Sequence, residues 1–564
     1  MKLCGNLEWH HKKLLKNSIS AINPLLVVIS AYILIFISAP GISLLSAVHD
    51  DGLFMQWSNS ILNEEWLGSW SVLTTSKGPL HSLLTAVAAR WGINPFFYKR
   101  MFYLLSAFVF AITGLKKAPT WLRTLTLITL LFDPFQFSET GLRNLREGTY
   151  IPLQLIFFGL GCWSLGNLQE KKINWVRMIL AIFSTSTCLG LILITREARL
   201  IAWLEMVIWL LLACSLVAWR IRKRIWKFSA LLLLLLSFSV SGVIGIAKLP
   251  ILIIASLNNS SYQYAISNSF EEGNFPLFYG RLISIGTKEE PFITRVPVRQ
   301  SLINTIVENS PKGGALKLVL TNLDPGWKVH GCAIYPETCG EYVGGWFVWA
   351  LRDAIGKTIR FPANENSFQI VANLAYNELN SMCKQSNSIV CEKSKVGYMP
   401  SLSHWGFSNP EIKLAKEGMK MAAVVAIPLY NPDSGNINIH PASQNNLEKP
   451  LRIQSINSNE ATKWNFKFQI ASKAGKLCKW VMIGLCAVSL YIALTRRRIA
   501  ALFNLSTIWI FSSLTIQLLL YAAVSITSFP GTGYLGIASP LFICLLGLIS
   551  CQLLESRNGK PFCN

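Results

Sequence analysis

The sequence predicts a polytopic α-helical membrane protein carrying a large extracytoplasmic domain. Three observations support this. Of the 564 residues, 52% are hydrophobic and only 14% are charged, whereas a soluble chain of this size carries more charge. Several apolar runs approach the ~20 residues a helix needs to cross a bilayer. The basic residues gather in short loops between those runs, as cytoplasmic loops do.

The spans expected are about 22–39, 101–115, 119–133, 149–167, 177–195, 199–219, 228–248, 478–494, 502–524 and 534–553, ten in all. The first follows His10, His11, Lys12, Lys13 and Lys16 and lacks a small-residue cleavage site, so it is expected to be a retained helix. With a cytoplasmic N-terminus, the basic loops Lys116/Lys117/Arg123, Lys171/Lys172/Arg177, Arg220–Lys227 and Arg496–Arg498 all fall inside. The C-terminus is then cytoplasmic too. The same arrangement places outside the Asp50–Asp51 loop, the loop 134–148, the turn Thr195–Arg199 and the segment 250–476. The net charge of +23 is therefore a topology signal. No nucleic-acid partner is expected, although a basic balance alone permits one.

Three parts follow. Residues 1–249 form an N-terminal transmembrane module, 250–476 an extracytoplasmic domain inserted before the last three spans, and 477–564 the C-terminal helices. The middle part is polar, rich in Asn and Ser, and long enough to bury its own core. Helices are expected at 343–356 and at 366–383, where Phe368, Ile370, Val371, Leu374, Ala375 and Leu379 recur at near-helical spacing. The Asn/Ser/Pro-rich stretch 431–460 reads as loops or short strands, which makes this a mixed α/β domain.

Four of the thirteen cysteines, Cys332, Cys339, Cys383 and Cys391, lie in the outer domain. Close spacing favours the disulfides Cys332–Cys339 and Cys383–Cys391, and an exported domain permits them. Zinc is the competing reading, but no Cys-x-x-Cys or His pair stands nearby.

The segment Val48-His49-Asp50-Asp51-Gly52-Leu53-Phe54 opens the first outer loop. Acids beside hydrocarbon are costly and call for a function. A carboxylate there can take a proton from an acceptor hydroxyl or amine. The competing reading is a helix-start pair, favoured by the helix dipole. Lys77, in Ser76-Lys77-Gly78-Pro79-Leu80, is placed to hold a lipid phosphate or simply to snorkel to the interface. Arg143 and Arg146, three apart, are candidates for one helix face and a phosphate clamp. Structural ion bridges to Glu139 and Glu147 are the alternative. Arg196, Glu197 and Arg199 put positive charge on the outer side and call for an anionic partner. That partner is a lipid phosphate, Glu197 itself, or the Asp50–Asp51 pair.

The order of a first span, His49-Asp50-Asp51, Lys77-Gly78-Pro79-Leu80, Trp91-Gly92 and Arg100 resembles the GT-C glycosyltransferases. The nearest branch is that of the protein O-mannosyltransferases and the lipid A aminoarabinose transferases. Thr195-Arg196-Glu197 and Tyr534-Leu535…Pro540-Leu541 are similar to that group as well. The resemblance covers mainly residues 20–250 and 530–550. It implies a polyprenyl-phosphate sugar donor, a glycan, lipid or protein acceptor, and inverting displacement with Asp50 as general base and Asp51 beside it. It implies that Lys77 and an outer arginine hold the donor phosphate, and the full set of expected substrate contacts is Lys77, His49, Arg143, Arg146, Arg196, Glu197 and Arg199. The implied setting is a bacterial inner or plasma membrane, with lipid around the protein and the active site on the outer face. Gly78 departs from the family, which usually has proline there, and so does Phe54, where tyrosine is common. No metal site and no obligatory cofactor is expected. A divalent ion on Asp50 and Asp51 is chemically possible, but one acidic pair is a thin oxygen set.

Two other classes compete. One is a transporter or lipid-linked-sugar binder without chemistry, although no paired half-repeats are visible and no acids are expected deep within spans. The other is an envelope-assembly partner docking through Trp327, Trp346, Trp349 and Trp405.

Overall fold

The computed structural model describes residues 24–36, 38–41, 49–170, 174–197, 199–222, 229–286, 295–359, 362–385, 390–391, 410–426, 451, 458–495, 504–527 and 532–557. The stretch 431–460 lies outside these apart from residue 451 and 458–460. So do Trp405 and most of the residues in the expected basic loops.

Helices dominate. In chain order, the first part contains α1 (Pro24–Phe36), α2 (Asp51–Leu62), α3 (Leu80–Arg90), α4 (Pro95–Thr113), α5 (Thr120–Leu131) and α6 (Glu139–Leu142). It continues with α7 (Glu147–Gln169), α8 (Trp175–Leu193), α9 (Arg199–Arg222) and α10 (Ser229–Tyr262). The middle part contains α11 (Asn274–Leu282), α12 (Gln300–Asn309), α13 (Ala315–Thr321), α14 (Gly326–Ile334), α15 (Gly344–Thr358), α16 (Glu365–Gln385) and α17 (Pro410–Ala426). The last part is α18 (Ser458–Thr495), α19 (Leu505–Thr527) and α20 (Thr532–Arg557).

Seven helices among the described residues are long and apolar enough to cross a membrane: α4, α7, α8, α9, α10, α18 and α19. This is fewer than the ten spans expected. α1 and the apolar part of α20 (Ala538–Gln552) are shorter. α5 has twelve residues, about 18 Å of helix at ~1.5 Å per residue, which is short of a bilayer core. Its Leu122, Leu127, Leu130 and Leu131 are nevertheless fully buried, because it packs against α18 and α20 instead of lipid. Local chemistry sets several helix starts. Asn94 accepts the Phe96 N–H at 2.8 Å, and Pro95 needs no donor partner in the first turn. Asn174 does the same for α8 through the Arg177 N–H at 3.1 Å.

The middle part corrects the mixed α/β expectation. Its regular secondary structure among the described residues is helical except for one two-residue antiparallel pairing, β1 (Ile285–Gly286) with β2 (Val390–Cys391). The helical periodicity of α15 and α16 prevailed there, and the stretch read as strands lies outside the described residues. Its core is aromatic and aliphatic: Phe275, Phe278, Phe347, Phe368, Leu351 and Leu379 are all buried. Each such side chain contributes about 1.5–3 kcal/mol on burial. Cys332 is joined to Cys339 and Cys383 to Cys391.

The helices cross the expected part boundaries. α10 continues to Tyr262, and α18 begins at Ser458. α17 packs against α19 and α20, and its Met421 and Val425 belong to the transmembrane core. Inside that core α9 carries a buried acid that the span reading passed over. Glu205 accepts from the Gln517 amide at 2.8 Å, and its backbone carbonyl accepts from Trp509 Nε1 at 2.8 Å.

Candidate active site

The two acids at the start of α2 behave differently. Asp51 opens the helix and is fully buried. Its Oδ2 accepts from Arg143 Nε at 3.0 Å and from Arg143 Nη2 at 2.5 Å, and its Oδ1 accepts the Asn144 N–H at 3.2 Å. Burial pushes its carboxyl up, and Arg143 only partly offsets this. Asp50 occupies the N-cap position but makes no side-chain cap bond. An N-cap aspartate ordinarily accepts a backbone N–H of the first turn. Here the carboxylate turns instead to Lys77, with Oδ1 at 2.5 Å from Nζ. Its Oδ2 has no partner among the described residues, and the side chain is 48% exposed. The helix-start reading therefore fits the position of the pair but not what Asp50 does. Burial works to raise the Asp50 carboxyl, yet Lys77, Arg146 and Arg143 outweigh it and hold it below the ordinary range.

Lys77 reaches this point from the segment between α2 and α3. It is nearly buried, donates also to the His49 carbonyl, and lies 5.3 Å from the Phe54 ring centre and 5.7 Å from that of Trp349. Burial lowers its pKa more than Asp50 restores it. The snorkelling reading requires an ammonium in water, and this one is enclosed. Gly78 follows for a steric reason. A Cβ there would sit 2.3 Å from the Ile194 carbonyl oxygen and 2.8 Å from the Thr195 carbonyl carbon. The close approach of the 194–195 turn thus explains the departure from proline.

The outer arginines all sit in ion pairs. Arg146 pairs with Glu197, with Nη1 at 2.5 Å from Oε1. Arg196 pairs with Glu147 at 3.5 Å and lies over the Tyr150 ring at 5.4 Å. Arg199 Nε meets Glu271 at 2.8 Å, and its Nη1 binds Glu272. This favours the ion-bridge reading of these residues. Arg143 and Arg146 do not share a helix face, because both lie in the link between α6 and α7. They still converge, through Asp51 and Glu197, around Asp50 and Lys77. Arg199 belongs to a separate patch with Ser267, Glu271 and Glu272.

His49 is held between rings of the middle part, 4.8 Å from Trp349 and 5.3 Å from Trp327. Burial and then Lys77 lower its pKa. The docking tryptophans Trp327 and Trp349 therefore face the acidic motif of this same chain.

Sequence reasoning missed the supports. Lys99 donates to the carbonyls of Gly141 at 2.5 Å and Arg143 at 2.6 Å, fixing the turn that presents Arg143. It stood at the edge of a predicted span, where a lysine reads as interfacial. His81 contacts Thr149 Oγ1 at 2.9 Å and Asn144 Oδ1 at 3.3 Å, so it steadies the residue whose N–H caps Asp51. Burial and then Lys99 push His81 down to about 4. Arg352 and Glu365 hold the segment before Lys77. Arg352, directly after the apolar run Gly344–Leu351, was the available signal.

No family model matches the chain, and no curated protein matches it. Among solved structures, ArnT from Cupriavidus metallidurans in the apo state is similar at 12% identity, over 95% of this chain and 78% of that one, with a TM-score of 0.31. The same protein bound to undecaprenyl phosphate is similar at 13% identity, over 94% and 77%, also with a TM-score of 0.31. What fold and composition define is a polytopic helical membrane protein.

Proposed function

We propose that this chain is a membrane glycosyltransferase that moves a sugar from a polyprenyl-phosphate donor to an acceptor on the extracytoplasmic face. The observation that carries the reading is a half-exposed carboxylate, Asp50, with one oxygen on a buried lysine and the other without a partner among the described residues. In the proposed step, the acceptor oxygen bonds to the anomeric carbon as the bond from that carbon to the phosphate oxygen breaks. The acceptor proton passes to Asp50 Oδ2. Polyprenyl phosphate leaves with the electron pair, and Lys77 stabilises the charge that develops on it. The configuration at the anomeric carbon inverts, because attack comes from the face opposite the leaving group. The sequence resemblance to the GT-C branch supports the same assignment.

The arginines hold the acids in place in this scheme. Asp51 and Arg143 anchor the start of α2, and the Arg146–Glu197 pair lies beside Lys77. A donor phosphate competes with Asp50 for Lys77, so donor binding releases the base.

The test uses purified protein in lipid nanodiscs with a panel of polyprenyl-phosphate sugars, following free polyprenyl phosphate by mass spectrometry. Release by wild type and not by Asp50→Asn is expected. Release by both moves the base elsewhere, and no release with any donor and acceptor overturns the enzyme reading. A second reading, transport without chemistry, is favoured by the buried Glu205–Gln517 pair inside the spans. Flux of a lipid-linked sugar into vesicles without its cleavage is the result that marks it.

A further inference from the structure

The outer domain grips the backbone just before Lys77. Arg352, on α15, is 1% exposed. Its guanidinium lies over the rings of Phe368 at 4.5 Å, Phe270 at 5.4 Å and Phe275 at 5.5 Å. It donates to the carbonyl oxygens of Val72 and, at 3.1 Å, of Thr74. Glu365, at the start of α16, is also fully buried. One of its oxygens accepts from Trp70 Nε1 at 3.0 Å and from Thr75 Oγ1 at 2.9 Å; the other accepts from Gln369 at 2.8 Å. The Ser269 N–H donates to the Thr75 carbonyl at 2.9 Å.

The segment so held is strained. Thr75 has φ +63°, which is costly for a β-branched residue and persists only where the surroundings impose it. A buried guanidinium is costly as well unless it is hydrogen-bonded. Here its acceptors are the carbonyls of Val72 and Thr74. The hydrogen bonds between segment and domain offset both costs only while the two stay docked. Two residues after Thr75 comes Lys77, with Trp349 of the same helix α15 lying near its ammonium.

We infer that Arg352 and Glu365 are positioning residues: through the backbone of 70–75 they set where Lys77 meets Asp50, which makes the outer domain a working part of the site. The catalytic value of that placement rests on the proposed role of Lys77 toward the donor phosphate. The placement itself does not.

The experiment is amine labelling of the full-length protein in nanodiscs, read at individual lysines by mass spectrometry. In wild type, Lys77 is protected. In Arg352→Met, its labelling rises about tenfold as the segment opens locally, while buried Lys99 stays protected. Arg352→Lys restores protection in part, because it keeps the charge but loses the fork. Retention of both disulfides reports a folded outer domain. Should Arg352→Met fail to fold, Thr75→Gly serves: it removes the bond to Glu365 and leaves a residue content at positive φ. Labelling of Lys77 at the wild-type level in a folded variant overturns the inference. Polyprenyl-phosphate binding, measured alongside, separates the two claims. Increased labelling, in a protein whose wild type does not bind that lipid, keeps the clamp and removes the glycosyl-transfer reading.

Discussion

Asp50 and Lys77 meet at 2.5 Å across unequal exposure: the lysine side chain is 5% exposed and the carboxylate 48%. The lysine is enclosed, and the acid is half-exposed. In the free protein this pairing holds Asp50 below the ordinary carboxylate range, where it is ionised but weakly basic. In the proposed reaction, donor phosphate arriving on Lys77 would remove that influence and add a negative charge nearby, and both effects would raise the Asp50 pKa. The acidic limb of kcat, which reports the donor complex, is therefore expected at higher pH than the limb of kcat/KM for the donor, which reports the free enzyme. Coincident limbs would disprove the exchange.

Asp50→Asn is expected to lower transfer by about 100-fold to 10,000-fold, the usual range for loss of a general base. Membrane insertion and the two disulfides should be unchanged. Single-turnover release of polyprenyl phosphate is the measurement.

Asp51 answers to stability. Asp51→Ala takes the carboxylate from the Arg143 guanidinium, whose side chain is 18% exposed, and the acceptor from the buried Asn144 N–H. Breaking a buried pair in this way costs about 3–5 kcal/mol. Thermal unfolding in one detergent should show a clear loss for Asp51→Ala and a smaller one for Asp51→Asn, which keeps an acceptor oxygen.

His81 gives the fold an acid sensitivity with a definite sign. Its folded pKa is pushed down to about 4 by burial and by Lys99, so the folded state disfavours the proton that the unfolded state accepts near pH ~6.5. The stability it supports is complete above that unfolded value and is lost as pH falls toward 4. Over the window, this amounts to roughly 3 kcal/mol. Unfolding midpoints of wild type and His81→Gln should converge as the pH is lowered from 7 to 4. A constant gap would remove the claim.

Gly78→Ala tests the steric account of the lysine loop. The added carbon would lie 2.3 Å from the Ile194 carbonyl oxygen, so the 194–195 turn or the loop must move. Overpacking of this kind costs about 1–3 kcal/mol, and here the shift falls next to Lys77. Transfer should drop further than the modest fall in unfolding temperature would explain.

Much of the membrane plan was legible in the sequence. Hydropathy and loop charge report a one-dimensional property, the transfer of each stretch between water and lipid, and that property needs no neighbours. Spans α4, α7, α8, α9 and α19 were readable on those grounds, as were α15 and α16 from helical periodicity. α5 and α17 were not. One is too short to cross, and the other reads as polar, yet both pack into the helical core. Their place depends on which neighbours cover them.

The candidate site divides in the same way. By itself the sequence singled out Asp50, Asp51 and Lys77, because acids and lysines beside apolar runs are conspicuous. Only the tertiary structure decided which acid is anchored and which is offered. That choice rests on partners 92 or 27 residues away, Arg143 for Asp51 and Lys77 for Asp50. It also assigned Arg352, 278 residues from the carbonyl it holds, to the loop that carries Lys77. Pairings at such separations are fixed by the packing of helices against one another, and spacing along the chain does not encode them.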